Sequence, residues 1–199
     1  TKAMKMVAAA KLRRAQDAII QMRPYASKLK EILENVASSV DSGGSGVLAK
    51  ARPVNRVLII PVTSNRGLAG AFNANIIRTV NRMLADQYAD LMKNGNVKVL
   101  CIGKKGSDFF SKNSAVYAGQ HNDVFNDLNF GSVSVIAEAL MKEFTAGNYD
   151  RVMVVYNQFK NAAVQYVISE QLLPISPPES SKSTKVANDY IFEPGKEEI

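Results

Sequence analysis

Arg56-Val57-Leu58-Ile59-Ile60-Pro61-Val62, followed by Thr63-Ser64-Asn65-Arg66-Gly67-Leu68-Ala69-Gly70, is the stretch that decides the fold. The first part is a continuous apolar run of strand length, the pattern of a parallel strand buried on both faces. The second is a polar, glycine-containing turn. A helix is predicted from about Asn73 to Leu91, closed by the turn Asn94-Gly95-Asn96. Strand, tight turn and helix in this order form the opening of a βαβ unit.

The same alternation continues outward. Val97 to Ile102 is predicted as a second buried strand, and Gly103-Lys104-Lys105-Gly106 leads into a short helix ending near Lys112. Ala115 to Ala118 is expected as a short strand. Ser132 or Ser134 is expected to cap a helix whose face is Val133, Ile136, Leu140 and Phe144, stopped at Gly147. Arg151 to Tyr156 is a third buried strand. Ala162 to Leu173 is a fourth, returning through Asn157 to Asn161 as a hairpin at the sheet edge. The fold class is α/β, a Rossmann-like, mainly parallel sheet domain.

Toward the N-terminus the period changes. Thr1 to about Asp41 reads as one helix, with Met4, Ala8, Leu12, Ala15, Ile19, Met22, Ala26, Leu29, Leu33, Val36 and Val40 in a nearly alternating three-four step. That is a coiled-coil seam held for about five heptads. Such a helix is roughly 60 Å long, against a radius of gyration of about 15 Å for the remaining body. Burying the large seam side chains at roughly 2 kcal/mol each gives on the order of 15 kcal/mol gross, so the seam calls for a partner helix. Pro24, off the seam, is expected to bend the helix rather than break it. The expected organisation is a shaft helix over 1–41, a flexible Gly/Ser linker over 42–53, the α/β domain over 54–173, and a Pro/Ser/Lys-rich linker over 174–199.

The 199 residues carry a net charge of +7. Between Thr1 and Lys30 stand eight basic residues, among them Lys2, Lys5, Lys11, Arg13, Arg14 and Arg23, and one acid, Asp17. This concentration calls for an anionic partner: nucleic acid, anionic lipid or an acidic protein surface. Only Tyr25 is aromatic in that segment, which disfavours base stacking. Seam and charge overlap, unlike a zipper with a separate basic region. Docking on an acidic protein surface is the preferred reading, and a basic coiled-coil nucleic-acid-binding protein is the alternative. No apolar run approaches the roughly 20 residues that span a bilayer. The chain opens on Thr1 without a signal-peptide pattern, so residues are expected before it.

The candidates for chemistry are weak. One cysteine, Cys101, and one histidine, His121, leave little for a His/Cys metal site. Cys101 in a buried strand is expected to act as a small hydrophobe, and His121 as a surface residue. Neither glycine turn matches G-x-G-x-x-G or a phosphate loop. Arg66 in the first of them suits a carboxylate on a partner. No catalytic, metal or cofactor residue is assigned.

Two motifs carry a family resemblance. Thr1-Lys2-Ala3-Met4-Lys5-Met6-Val7-Ala8-Ala9-Ala10-Lys11-Leu12-Arg13-Arg14-Ala15-Gln16 resembles the N-terminal helix of the gamma subunit of F-type ATP synthases. Thr63-Ser64-Asn65-Arg66-Gly67-Leu68-Ala69-Gly70-Ala71-Phe72-Asn73 resembles that family's second signature, and Arg23-Pro24-Tyr25-Ala26 is similar to bacterial members. The resemblance implies a rotor shaft without catalysis of its own, in which the N-terminal helix pairs with a C-terminal helix expected beyond Ile199. It implies as partners a ring of alpha and beta subunits, an epsilon subunit and a membrane c-ring, with no nucleic acid, no bilayer insertion and no cofactor. It places the chain peripherally on the cytoplasmic face of the bacterial plasma membrane, or alternatively on the matrix face of the mitochondrial inner membrane. By motif, Met4, Lys5, Lys11, Arg13, Arg14 and Arg66 are the implied beta-subunit contacts. Many relatives have Cys where this chain has Ala69, so no thiol function is available there.

Overall fold

The computed structural model describes residues 2–39, 46–161 and 164–176. The arm and a compact body, Val47–Ile175, are separate units.

The arm is a single helix, α1, Lys2–Ser39, uninterrupted through Pro24. Its 38 residues give a length of about 57 Å. Alanines at 3, 8, 9, 10, 15 and 18 supply the best helix-forming side chain. Neither end has charges that complement the helix dipole: no acid in the first turn, no base in the last. The seam lies open. Met4 is 76% exposed, Leu12 47% and Met22 59%, with Ile19, Leu29 and Leu33 also exposed. Val40 lies outside the described residues, as do the side chain of Val36, residues 42–45 of the expected Gly/Ser linker and residues 177–199 of the expected C-terminal linker.

The body is a three-layer α/β/α sandwich. Its sheet has the order β3-β2-β1-β4-β5. β1 (Val57–Pro61), β2 (Val97–Cys101), β3 (Tyr117–Gln120) and β4 (Arg151–Phe159) run parallel, and β5 (Gln165–Leu173) is antiparallel at the edge. Every residue of β1 is buried, as its unbroken apolar run predicts. Val57 and Ile59 face one core, where α2 (Phe72–Arg82) and α4 (Lys104–Phe110) deliver Ile76, Val80 and Phe110. Leu58 and Ile60 face the other, where α5 (Phe130–Thr145) delivers Ile136, Leu140 and Phe144. The chain moves from β1 to β2 and β3, then returns across β1 to β4. The loop after β1 therefore sits at a topological switch point, the place where open α/β sheets present their functional loops.

Several boundaries differ from the sequence expectation. The helix expected over 73–91 has three parts: α2, a π-helical turn at Met83–Gln87, and α3 at Ala89–Lys93. The Tyr88 amide donates to the Met83 carbonyl at 2.9 Å, five residues back. The extra residue turns Tyr88, in place of Gln87, onto the apolar face with Ile76, Val80 and Leu84. The strand expected at 115–118 is shifted to Tyr117–Gln120, because the Val116 and Tyr117 amides both turn back to the Asn113 carbonyl. α5 starts at Phe130. Its cap is Asn129, whose Oδ1 accepts from the Ser132 amide at 2.9 Å while Ser132 Oγ accepts from the Asn129 amide. Ser132 thus closes a capping box from inside the helix, and the exposed Phe130 and Gly131 gave no apolar period to mark the true start. β4 continues to Phe159, beyond the expected Tyr156.

The body also begins before residue 54. Leu48 packs on the α5-side core and its carbonyl accepts from the Ile175 amide at 2.9 Å. Arg52 donates to the Phe144 and Tyr149 carbonyls, pairs with Asp150 at 3.1 Å and lies 4.3 Å over the Phe144 ring. Asp150, 5% exposed, also accepts from the Asn55 and Arg56 amides. Residues 47–53, expected as linker, are thus held onto the start of β4 by a buried carboxylate with nearly all its acceptor positions filled.

Candidate functional site

The loop after β1 is built as a rigid base with an open tip. Thr63, 2% exposed, sits beneath it. Its Oγ1 donates to the Gly103 carbonyl at 3.1 Å and accepts from the Gly106 amide at 2.8 Å. Gly103 has φ +106, and a Cβ there would lie 2.0 Å from the Thr63 carbonyl oxygen. No other residue fits that close approach. Asn65 Oδ1 accepts from the Lys104 amide at 2.9 Å, and the Ser64 carbonyl accepts from the Lys105 amide at 3.1 Å. The first amides of α4, those a phosphate would use in a phosphate loop, are engaged by Asn65, Ser64 and Thr63. Gly103-Lys104-Lys105-Gly106 is a structural turn locked to its neighbour.

Two further asparagines complete the base. Asn65 Nδ2 donates to the Asn122 carbonyl at 2.9 Å, which joins the loops after β1, β2 and β3. Asn73 Oδ1 accepts from the Ser64 amide at 2.9 Å, closing the loop on the start of α2. Asn157 Nδ2 donates to the Phe72 carbonyl at 2.9 Å and ties that end to β4. Above this base Arg66, Gly67, Leu68, Ala69 and Gly70 are exposed. Leu68 has φ +59 and is fully exposed. Lys105 passes under Gly67, 3.7 Å from where a Cβ would stand, and reaches Asp108 at 4.0 Å. Arg66 was selected by motif. Thr63, Asn65 and Asn73, which hold it, were missed, although asparagines bracketing a glycine turn are the residues that bond nearby backbone.

Met4, Lys5, Lys11, Arg13 and Arg14 are all exposed on α1. At 100° per residue, Lys11 falls about 40° from the seam centre and Arg13 about 160° away, so the charge surrounds the helix. Met4 belongs both to the seam and to the implied contacts. Cys101 is fully buried, and burial pushes its thiol up to about 12. His121 is exposed at the rim of an open depression that Glu143 and Tyr149 also line. Among the described residues no group of three or more His, Cys, Asp or Glu side chains is placed to hold a metal. No described helix is long and apolar enough to cross a membrane.

Known proteins share the whole length of this chain, basic arm and locked glycine loop included. The family profile described as ATP synthase matches residues 1–199. The ATP synthase gamma chain of Flavobacterium psychrophilum is 51% identical over 199 residues, covering 100% of this chain and 67% of that one. That of Cytophaga hutchinsonii is 47% identical, covering 100% of this chain and 68% of that one. The chain belongs to the ATP synthase gamma family. It spans about two thirds of the length of these relatives. The central stalk and c-ring structure of Tetrahymena thermophila mitochondrial ATP synthase has a similar chain, with TM-score 0.64 and 28% identity over 87% of this chain and 71% of that one. The rotor of Euglena gracilis mitochondrial ATP synthase shares the fold at TM-score 0.55 and 22% identity, covering 86% of this chain and 56% of that one. As a gamma-family chain it is the central rotor shaft of an F-type ATP synthase. It couples ion-driven rotation to conformational change in the catalytic subunits and is not itself catalytic. It works within a peripheral, membrane-associated complex.

Proposed function

We propose that the shaft turns inside a ring of alpha and beta subunits, with Met4, Lys5, Lys11, Arg13 and Arg14 facing acidic lever segments of the beta subunits. Arg66 reaches the ring from the loop after β1. The body sits against the epsilon subunit and the c-ring, on the cytoplasmic face of the bacterial plasma membrane. The observation that carries this reading is the arm itself: eight basic residues against one acid over Thr1–Lys30, with every described basic side chain among them exposed. Such a helix faces protein carboxylates as it turns, and the coupling requires that each orientation favour a different beta conformation by differential contact.

The test is assembly of the full-length chain with an alpha–beta ring. Arg13→Gln, Arg14→Gln and Arg66→Gln should each weaken binding about two- to fivefold, the range for a partly screened ion pair. The losses should shrink as salt rises. Unchanged affinity and unchanged ring ATPase activity in the triple variant would refute the contact assignment.

A further inference from the structure

Leu68 combines two features that the fold of this chain does not explain. Its φ of +59 lies in the left-handed region, where a side chain crowds its own backbone. Glycine or asparagine would adopt that conformation at less cost, and the same loop already uses Gly70 at φ +56. Leu68 is also fully exposed, so no burial within the body offsets the strain. A lone surface leucine is ordinary, but one held in a disfavoured backbone conformation at the tip of a braced loop is not. Strain of this kind persists where the surroundings fix it, and it gathers at contact sites. Here Thr63, Asn65 and Asn73 hold the two ends of the loop that carries Leu68 through the hydrogen bonds of its base. Arg66 is two residues away, Lys104 and Lys105 start the helix beneath, and all three are basic.

We propose that Leu68 is an apolar anchor that seats in a hydrophobic depression rimmed by carboxylates on a catalytic subunit of the ring. This rests on the reading that the loop meets the ring at Arg66, and it adds the group that supplies affinity where Arg66 supplies orientation. Because the loop is braced before contact, the leucine is presented with little conformational freedom left to lose.

The experiment compares Leu68→Asn, Leu68→Gly and Leu68→Met in the full-length chain, each assembled into the complete complex. Asparagine and glycine relieve the backbone strain, so the melting temperature of the chain should stay level or rise. Affinity for the ring and ATP-driven proton pumping should nevertheless fall about tenfold, the effect of losing one leucine contact. Leu68→Met keeps an apolar side chain and should stay within about twofold of the parent in affinity. A gain in stability together with a loss in coupling is something a purely structural leucine would not produce. If Leu68→Asn assembles and pumps like the parent while Arg66→Gln does not, the anchor is refuted and the Arg66 contact stands. If neither variant changes binding or pumping, the loop does not meet the ring and both readings fall.

Discussion

The arm and the body share one chain but bury their apolar residues by opposite rules. In the body, Val57, Ile59, Val97, Val99, Phe144 and Val155 are 0% exposed, in two cores that the strands and their own helices close. In the arm, the seam residues from Met4 to Leu33 are at least 39% exposed where large and apolar. The body's sequence is a description of its own interior. The arm's sequence carries an apolar stripe that the helix itself leaves exposed. Loss of apolar burial should therefore be felt mainly in the body when the chain is alone.

The strongest way to break that contrast is Phe144→Ala. Phe144 fills the α5-side core and carries the Arg52 guanidinium over its ring. Its removal should destabilise the body by about 3–5 kcal/mol, a fall of roughly 4 °C in melting temperature per kcal/mol. The helical signal of the arm should be unaffected. A circular dichroism melt in which arm and body lose structure together at the lowered midpoint would mean that the two are not separate units. Next comes Pro24→Ala. The proline lacks the amide that would close the helix toward residue 20, and restoring it should stabilise α1 by about 3 kcal/mol. Added helicity without any shift in the body's urea midpoint is the expected result. Equal helicity would show that α1 has already adjusted around the ring.

Leu12→Ala sharpens the comparison further, because its size depends on the partner. In the chain alone Leu12 is exposed, and its loss should change stability by less than about 0.5 kcal/mol. In the assembled shaft the same truncation should cost about 2 kcal/mol, read as a roughly thirtyfold weaker association. Similar effects in both settings would argue against a seam.

How far the sequence could be read follows the same division. The strands were legible in different degrees. Val57–Pro61 is an unbroken apolar run buried on both faces, whereas Val97–Cys101 is interrupted by Lys98 and Arg151–Phe159 ends in the polar Asn157-Gln158, so these two were placed by short apolar runs alternating with helical stretches. The long N-terminal helix was legible because its apolar period spans many turns. What was hidden depends on single side chains meeting across long separations. Arg52 reads as a loop residue, and nothing local announces that it closes on Asp150 and Phe144. The π turn before Tyr88 leaves no mark in composition. The candidate site divides likewise: Arg66 is visible as a motif, whereas the left-handed backbone of Leu68, in a loop whose base Asn65 and Asn73 hold, has no mark in the sequence.

The smallest expected effect tests the interior of the body by titration. Burial raises the Cys101 thiol from 9.0 to about 12. The Tyr149 hydroxyl is raised in the same direction, first by burial and then by Glu143. An acid whose folded pKa lies above its unfolded one binds more protons when folded, so it stabilises the fold fully below the unfolded value. That contribution is lost as pH climbs from about 9 toward 12, where the unfolded thiol ionises and the folded one does not until the end of the interval. The body's urea midpoint should therefore be flat near neutral pH and begin to fall above about pH 9. Cys101→Ala should flatten that slope, although the lost packing lowers the midpoint at every pH. Alkylation by iodoacetamide near pH 8 should proceed only as fast as the body opens, since the thiol is fully buried as well as protonated. Rapid labelling of the native chain would place Cys101 in an opening segment, and the body would then lose the closed interior that sets it apart from the arm.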